Sequence, residues 1–152
     1  MRKSDQLSIV VADDDADDRL LIEDAFQECH LSNHRDYVED GVDLLQYLRA
    51  EEKWSHRNAS DLPSIILLDL NMPRMDGRTA LAHLKADPIL RRIPVVVLTT
   101  SNADEDIARI YDLGVNSFIT KPVTFAGLLD AVRALNDYWL KSVQLPSQIE
   151  TV

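Results

Sequence analysis

The sequence has a single cysteine and no long apolar segment, and both shortages limit the class of protein. Cys29 alone excludes an intramolecular disulfide framework and is typical of a reducing compartment. The longest apolar runs, such as residues 65–68, are far shorter than the roughly 18 residues that suggest a membrane span. Asp5 and the acidic run that starts at Asp13 leave no room for the apolar stretch of a signal peptide. We therefore expect a soluble, cytoplasmic protein.

Basic residues are also in short supply. The chain has 16 Lys and Arg against 26 Asp and Glu, which gives a formal net charge of −10. Nucleic acids and anionic membranes are bound by clustered cations, so we predict neither as a partner. With 152 residues, 45% of them hydrophobic, the composition fits one globular domain. We place that domain at residues 6–140, with a C-terminal extension at 141–152 and no output domain.

Short apolar runs alternate with amphipathic stretches along the chain. The runs predict strands at residues 8–12, 36–38 (the weakest), 64–68, 94–99 and 117–120. Helical spacing predicts helices at residues 18–28, 41–50, 78–87 and 104–113, and a last one that starts after Thr124 as N-cap and extends to Trp139. A polar connection at residues 51–63 is longer than is usual between a helix and a strand. The order is (βα)5, which indicates a parallel sheet with helices on both faces.

Reactive side chains follow the carboxyl ends of four predicted strands. Asp13, Asp14 and Asp15 follow the first strand, Asp69 the third, Thr99 ends the fourth, and Lys121 follows the fifth. Parallel α/β sheets bind ligands at this edge. Clustered carboxylates repel one another unless a cation lies among them, and oxygen ligands with open positions suit Mg²⁺.

An aspartate at such a site has a nucleophilic carboxylate. Asp69 could attack a phosphoryl group and form an aspartyl phosphate, while a metal ion, an ammonium group and a hydroxyl stabilise the charge of the transition state. Gly77 is expected to supply a turn residue with positive φ. The acidic run 13–18 fits a calcium loop poorly, because Asp18 occupies the position where that loop needs glycine.

Four segments in order resemble the receiver domain of bacterial response regulators. They are IVVADD at 9–14, LDLNMPRMDG at 68–77, VLTT at 97–100 and FITKP at 118–122. The resemblance covers nearly all of residues 6–140. It implies the flavodoxin-like fold, a doubly wound parallel five-stranded sheet with strand order 2-1-3-4-5. It also implies a signalling module that catalyses only its own phosphorylation and dephosphorylation.

The resemblance assigns roles to individual residues. Asp69 resembles the phosphoacceptor, and Lys121 the lysine that holds a phosphoryl oxygen. Asp14, Asp69 and the backbone carbonyl of Asn71 resemble the direct Mg²⁺ ligands, with Asp13 acting through water. Thr99 and Phe118 resemble the switch pair that carries the signal to the surface.

The connection at 51–63, the run 92–101 and the ending 138–146 are similar to the single-domain response regulators that serve bacterial phytochromes. This similarity implies a sensor histidine kinase of the bacteriophytochrome type as partner. It also implies a homodimer built on the fourth helix, fifth strand, fifth helix and C-terminal tail. Apolar residues beyond those the fold needs support such a surface: Tyr138, Leu140, Val143 and Leu145. The alternative is that the tail folds back over its own domain.

Three other functions fit parts of the pattern. A phosphatase of the haloacid-dehalogenase type also uses an aspartate nucleophile and Mg²⁺, but it needs a second aspartate two positions later, where Asn71 stands here. A pseudo-receiver scaffold would not need the complete set of acidic residues and lysine. The third function is a phosphate sink, or a chemotaxis-type effector, for another kinase.

Overall fold

A parallel sheet of five strands forms the centre of the computed structural model. The structure describes residues 8–99, 108, 111–112, 114–115, 117–120 and 124–137, and for Thr99, Ser117, Phe118 and Thr120 it describes the backbone only. The strands are β1 Ile9–Ala12, β2 Arg35–Val38, β3 Ile65–Leu68, β4 Val95–Thr99 and β5 Ser117–Thr120, and their order is β2-β1-β3-β4-β5. The predicted flavodoxin-like order is confirmed.

The helices lie on both faces of this sheet. They are α1 Ala16–Glu28, α2 Gly41–Arg49, α3 Gly77–Ala86 and a C-terminal helix Phe125–Leu135, with short 3-10 helices at Glu52–Trp54 and Leu90–Arg92. Each of the four α-helices is capped at its start by a side chain that accepts a backbone N–H group: Asp15, Asp40, Asp76 and the predicted Thr124. The helix predicted at 104–113 falls almost entirely outside the described residues, as does Trp139.

Two apolar clusters fill the space between the sheet and its helices. On one face Val10 and Ala12 of β1 pack with residues of α2 and α3, among them Leu44 and Leu81. On the other face Ile9 and Val11 pack with residues of α1 and the C-terminal helix. Successive residues of a strand point to opposite faces, so a strand covered on both sides is apolar throughout, as in β1 and β3. Within the described part of the chain, no helix is both long and apolar enough to span a membrane.

The long connection between α2 and β3 is ordered against α2. The rings of Trp54 and Tyr47 meet edge to face with centroids 4.8 Å apart. The Arg57 guanidinium lies 3.8 Å from the Tyr47 ring centroid and donates to the Tyr47 carbonyl oxygen. Backbone turns with left-handed φ at Ala50 and Glu52 begin the connection.

A partly buried ion pair joins α1 to the edge strand β2. Arg35 donates from Nε and Nη2 to the two carboxylate oxygens of Glu23, at 2.8 and 2.7 Å. The hydroxyl of Tyr37 donates to the same carboxylate at 2.7 Å. The hydrogen bond from Arg35 is the main reason that the pKa of Glu23 falls from 4.5 to about 2, with a smaller contribution from Tyr37.

Glu23→Gln is expected to lower the free energy of unfolding at pH 7 and to remove part of the acid sensitivity of the fold. Because the pKa is depressed in the folded state, this stabilisation is complete above pH 4.5 and is lost as the pH falls towards about 2. With allowance for partial solvent exposure, we expect a loss of about 1–2 kcal/mol. Urea unfolding at a series of pH values measures it, with Asp24→Asn on the exposed side of the same helix as control. Identical pH profiles for wild type and Glu23→Gln would contradict the assignment.

Candidate functional site

Two aspartates are brought together by the register of β1 and β3. Ala12 and Leu68, the last residues of these strands, are partners in the parallel ladder. The next residues, Asp13 and Asp69, therefore leave the sheet at the same edge, and the Asp69 amide still donates to the Ala12 carbonyl at 3.0 Å. The predicted convergence of these carboxylates follows from the topology alone.

Three carboxylates form a cluster at this edge. Asp13, Asp14 and Asp69 each offer an oxygen atom, and these atoms lie within 4.8 Å of one another. Asp13 and Asp69 are 1% and 8% exposed, whereas Asp14 is open to solvent. Oxygen atoms bound directly to an octahedral Mg²⁺ lie up to about 4.2 Å apart, and a carboxylate that acts through water lies farther away, so a spread of up to 4.8 Å suits a site with both kinds of ligand. The cluster fits a small divalent cation, with an open side for water or phosphate oxygens.

The acidic residues that follow β1 have two different functions. Asp13 and Asp14 belong to the cluster, and the Asp13 carboxylate also accepts the Asp15 amide at 2.9 Å. Asp15 instead caps α1 by accepting the amides of Asp17 and Asp18. The cap fixes the start of α1 directly after the cluster, because a helix leaves its first N–H groups without backbone partners.

The β3–α3 loop, residues 71–76, continues from Asp69. The Asn71 amide donates to Oδ1 of Asp69 at 3.1 Å, so the backbone of Asn71 lies beside the carboxylate. At the other end of the loop, the Gly77 amide donates to the Leu70 carbonyl at 2.9 Å. Both contacts hold the loop against the end of β3, beside the Asp69 carboxylate.

The expected positive φ at Gly77 is wrong. Gly77 is the first residue of α3, and the left-handed residue of this region is Arg74, with φ 60°. Glycine is needed because α3 begins very close to the backbone that follows β3. A Cβ at Gly77 would lie 2.3 Å from the Asp69 carbonyl oxygen and 2.7 Å from Cα of Leu70. The sequence shows that a glycine is present but not which of these two reasons applies.

The remaining predicted site residues lie partly or wholly outside the described residues. The backbone places Thr99 at the end of β4, two positions beyond Val97, which pairs with Leu68. Phe118 of β5 pairs with Val97 in the same row. Their side chains, and all of Lys121, fall outside the description, so the roles of these three residues remain predictions.

One ion pair next to the site was not predicted from the sequence. Arg74 binds the carboxylate of Asp40 through two hydrogen bonds, although the residues are 34 positions apart. Burial by itself would raise the pKa of Asp40, but the Arg74 guanidinium and the backbone amides outweigh it, so the pKa is lowered. No spacing rule links these residues, and the one local signal that could have pointed to Asp40 is the preference for aspartate at the N-cap of a helix.

The fold, the acidic cluster and the sequence together define the class of protein. The model of the response regulator receiver domain family matches residues 9–133. The chain belongs to this family of phosphorylation-dependent signalling domains, whose members are not enzymes with an external substrate.

Individual relatives are similar over almost their whole length. Response regulator Rcp1 of Synechocystis sp. is 36% identical over 139 residues, which cover 91% of this chain and 92% of Rcp1. Probable methanogenesis regulatory protein FilR2 of Methanothrix harundinacea is 36% identical over 140 residues, 92% of this chain and 88% of FilR2. The crystal structure of the phosphorylated cyanobacterial phytochrome response regulator RcpA has a TM-score of 0.85 and 39% identity, and the match covers 93% of this chain and 99% of RcpA. The Mn²⁺-bound form of Rcp1 has a TM-score of 0.82 and 34% identity, with coverage of 92% and 99%.

Proposed function

We propose that this protein accepts a phosphoryl group on Asp69 from a histidine kinase in a reaction that depends on Mg²⁺. The observation that carries the proposal is the cluster of Asp13, Asp14 and Asp69, with oxygen atoms within 4.8 Å of one another at the ligand-binding edge of the sheet. In the reaction a carboxylate oxygen of Asp69 bonds to phosphorus, and the bond between phosphorus and the kinase histidine nitrogen breaks.

The residues around Asp69 prepare it for this reaction. Asp14, Asp69 and the Asn71 carbonyl would hold Mg²⁺, with Asp13 acting through water, and the bound ion would neutralise the charge that develops on the phosphoryl oxygens. Lys121 would hold one phosphoryl oxygen. The hydroxyl of Thr99 would turn towards the phosphoryl group and allow the Phe118 ring to move inward. Phosphorylation thereby changes the surface around β5.

We propose a phytochrome-type histidine kinase as the phosphodonor. The support is the similarity to RcpA, described as a phytochrome response regulator, along 93% of this chain and 99% of RcpA. FilR2, described as a probable methanogenesis regulatory protein, and Rcp1 are both 36% identical to this chain, so sequence identity to these relatives does not by itself single out a light sensor. The long ordered connection after α2 and the structural match to RcpA favour the phytochrome assignment.

Removal of the metal is expected to stop phosphorylation. Without a cation, the three carboxylates repel an incoming phosphoryl group, and we expect chelation by EDTA to reduce the rate of labelling from acetyl phosphate by at least about 100-fold. Asp14→Ala should weaken Mg²⁺ binding in isothermal titration calorimetry and slow labelling similarly, whereas Asp18→Ala, on the first turn of α1, should do neither. An undiminished rate after chelation would disprove the metal requirement.

We also propose a homodimer formed through the fourth predicted helix, β5, the C-terminal helix and residues 138–152. The described part of this region carries exposed apolar side chains at Tyr111 and Phe125. Analytical ultracentrifugation of the full chain is expected to show a dimer, and Phe125→Asp should shift it towards monomer. Leu20→Asp, at an exposed apolar residue of α1, which is not one of the elements of the proposed interface, is the matched control. A monomer at all concentrations, with and without phosphorylation, would exclude the dimer.

A further inference from the structure

The β3–α3 loop is tied to the start of α2 by three hydrogen bonds. The Gly41 amide donates to the Met75 carbonyl at 2.8 Å. Arg74 donates from Nε to Oδ2 of Asp40 at 2.7 Å and from Nη2 to Oδ1 at 3.1 Å. Two of these three bonds therefore come from one ion pair, which spans 34 residues of sequence and reaches the loop three residues after Asn71.

The loop is bent sharply at the point where this ion pair holds it. Arg74 has a φ of 60°, a region that is unfavourable for a residue with a Cβ atom. The neighbouring Met75 amide donates to the Pro73 carbonyl at 2.6 Å, so the chain turns within three residues. Gly41 allows the close approach, because a Cβ there would lie 2.6 Å from the Met75 carbonyl oxygen. A conformation of this kind persists only when surrounding contacts hold it.

Burial and hydrogen bonds at the start of α2 hold the Asp40 carboxylate in place. It is 4% exposed, and its Oδ1 also accepts the Asp43 amide at 2.8 Å as the N-cap of α2. Asp43 is buried in turn, and its carboxylate accepts Nε1–H of Trp54 at 2.7 Å and the Glu39 amide at 2.9 Å. The Arg74 side chain is 59% exposed, so its orientation depends on the buried, immobile Asp40 carboxylate and on the two parallel bonds to it.

We propose that Asp40 and Arg74 are positioning residues for the metal site. Their ion pair holds the β3–α3 loop in its bent conformation and so keeps the backbone of Asn71 beside the Asp69 carboxylate. The inference rests on the proposed function, in which the Asn71 carbonyl binds Mg²⁺. Groups that orient metal ligands without touching the metal typically change metal affinity when they are removed.

Three variants of the full chain distinguish the positioning role of the ion pair from two other effects, the capping of α2 by Asp40 and the charge of Arg74 alone. Arg74→Ala removes the ion pair, and we expect it to weaken Mg²⁺ binding about tenfold in isothermal titration calorimetry. Arg74→Lys should recover part of the affinity, because an ammonium group keeps the charge but not the two parallel bonds. Asp40→Asn keeps an oxygen to cap the Asp43 amide but loses the charge, and it should resemble Arg74→Ala. Arg91→Ala, an exposed arginine after α3, is the matched control and should bind Mg²⁺ as the wild type does.

Amide hydrogen exchange in the metal-free protein provides a second readout. The Gly41 amide donates to the loop, whereas the Leu44 amide donates to the Asp40 carbonyl within the first turn of α2. Arg74→Ala should raise the exchange rate of Gly41 about tenfold and leave that of Leu44 unchanged. If both amides exchange faster to the same degree, the ion pair is only a general stabiliser of α2 and the proposal is wrong.

Wild-type Mg²⁺ affinity in Arg74→Ala would also overturn the proposal, whatever the exchange rates. The proposed function is tested separately on the same wild-type sample. If that sample binds Mg²⁺ and is phosphorylated, a negative result for Arg74→Ala removes only the positioning role. If the wild-type protein binds no Mg²⁺, the metal site itself is wrong and the inference falls with it.

Discussion

Asp69→Asn is expected to abolish phosphorylation by small-molecule donors and by the kinase. The wild-type protein, incubated with acetyl phosphate and Mg²⁺, should gain one phosphoryl group that is stable in acid and labile in base, as an acyl phosphate is. The amide of asparagine lacks the nucleophilic carboxylate oxygen, so we expect at least a 1000-fold slower reaction, observed as no labelling by intact-protein mass spectrometry. The same loss is expected with a phosphorylated phytochrome-type histidine kinase as donor.

Loss of labelling in Asp69→Asn must be separated from loss of the fold. The substitution removes one of three clustered negative charges, so the variant should be at least as stable as the wild type in the absence of Mg²⁺. Asp17→Asn removes an exposed charge from the first turn of α1 and should be phosphorylated normally. Full labelling of a folded Asp69→Asn protein would place the phosphoryl group on another residue and disprove the site.

The fold could be predicted where burial alone determines the residue types. β1 and β3 are covered on both faces, so every position is apolar and the strands are visible as continuous runs. β2 was the weakest prediction because it lies at the edge of the sheet and only its last residue, Val38, is buried. The edge strand is held instead by the contacts of Arg35 and Tyr37 with Glu23, which have no periodic signature.

The site could be predicted where it follows from topology, and not where it depends on contacts between distant side chains. Asp13 and Asp69 meet because they follow paired strands, and that pairing can be inferred from the order of the elements. The ion pair between Asp40 and Arg74 depends on where a six-residue loop turns, and no local pattern determines that. The roles of Lys121, and of the Thr99 and Phe118 side chains, remain predictions from family resemblance.

Gly77 shows how closely the stability of the fold and the geometry of the site are connected. In an unhindered helix, replacing glycine by alanine stabilises a protein by about 0.5–1 kcal/mol, because alanine loses less backbone freedom on folding. At Gly77 the added Cβ would lie 2.3 Å from the Asp69 carbonyl oxygen and 2.7 Å from Cα of Leu70. Both are backbone atoms, which have no rotamer to adopt, so α3 or the end of β3 must move.

We therefore expect Gly77→Ala to lower the free energy of unfolding by about 3 kcal/mol, at the upper end of the usual cost of overpacking. Urea unfolding measures this, and Ala82→Gly at an exposed position of the same helix calibrates the helix-propensity effect that acts in the opposite direction. Because the displaced atoms belong to Asp69 and Leu70, the folded fraction should also bind Mg²⁺ more weakly and accept phosphate more slowly. A Gly77→Ala protein as stable and as reactive as the wild type would show that α3 can shift freely. The close packing of this helix on the end of β3 would then have no role in holding Asp69 in place.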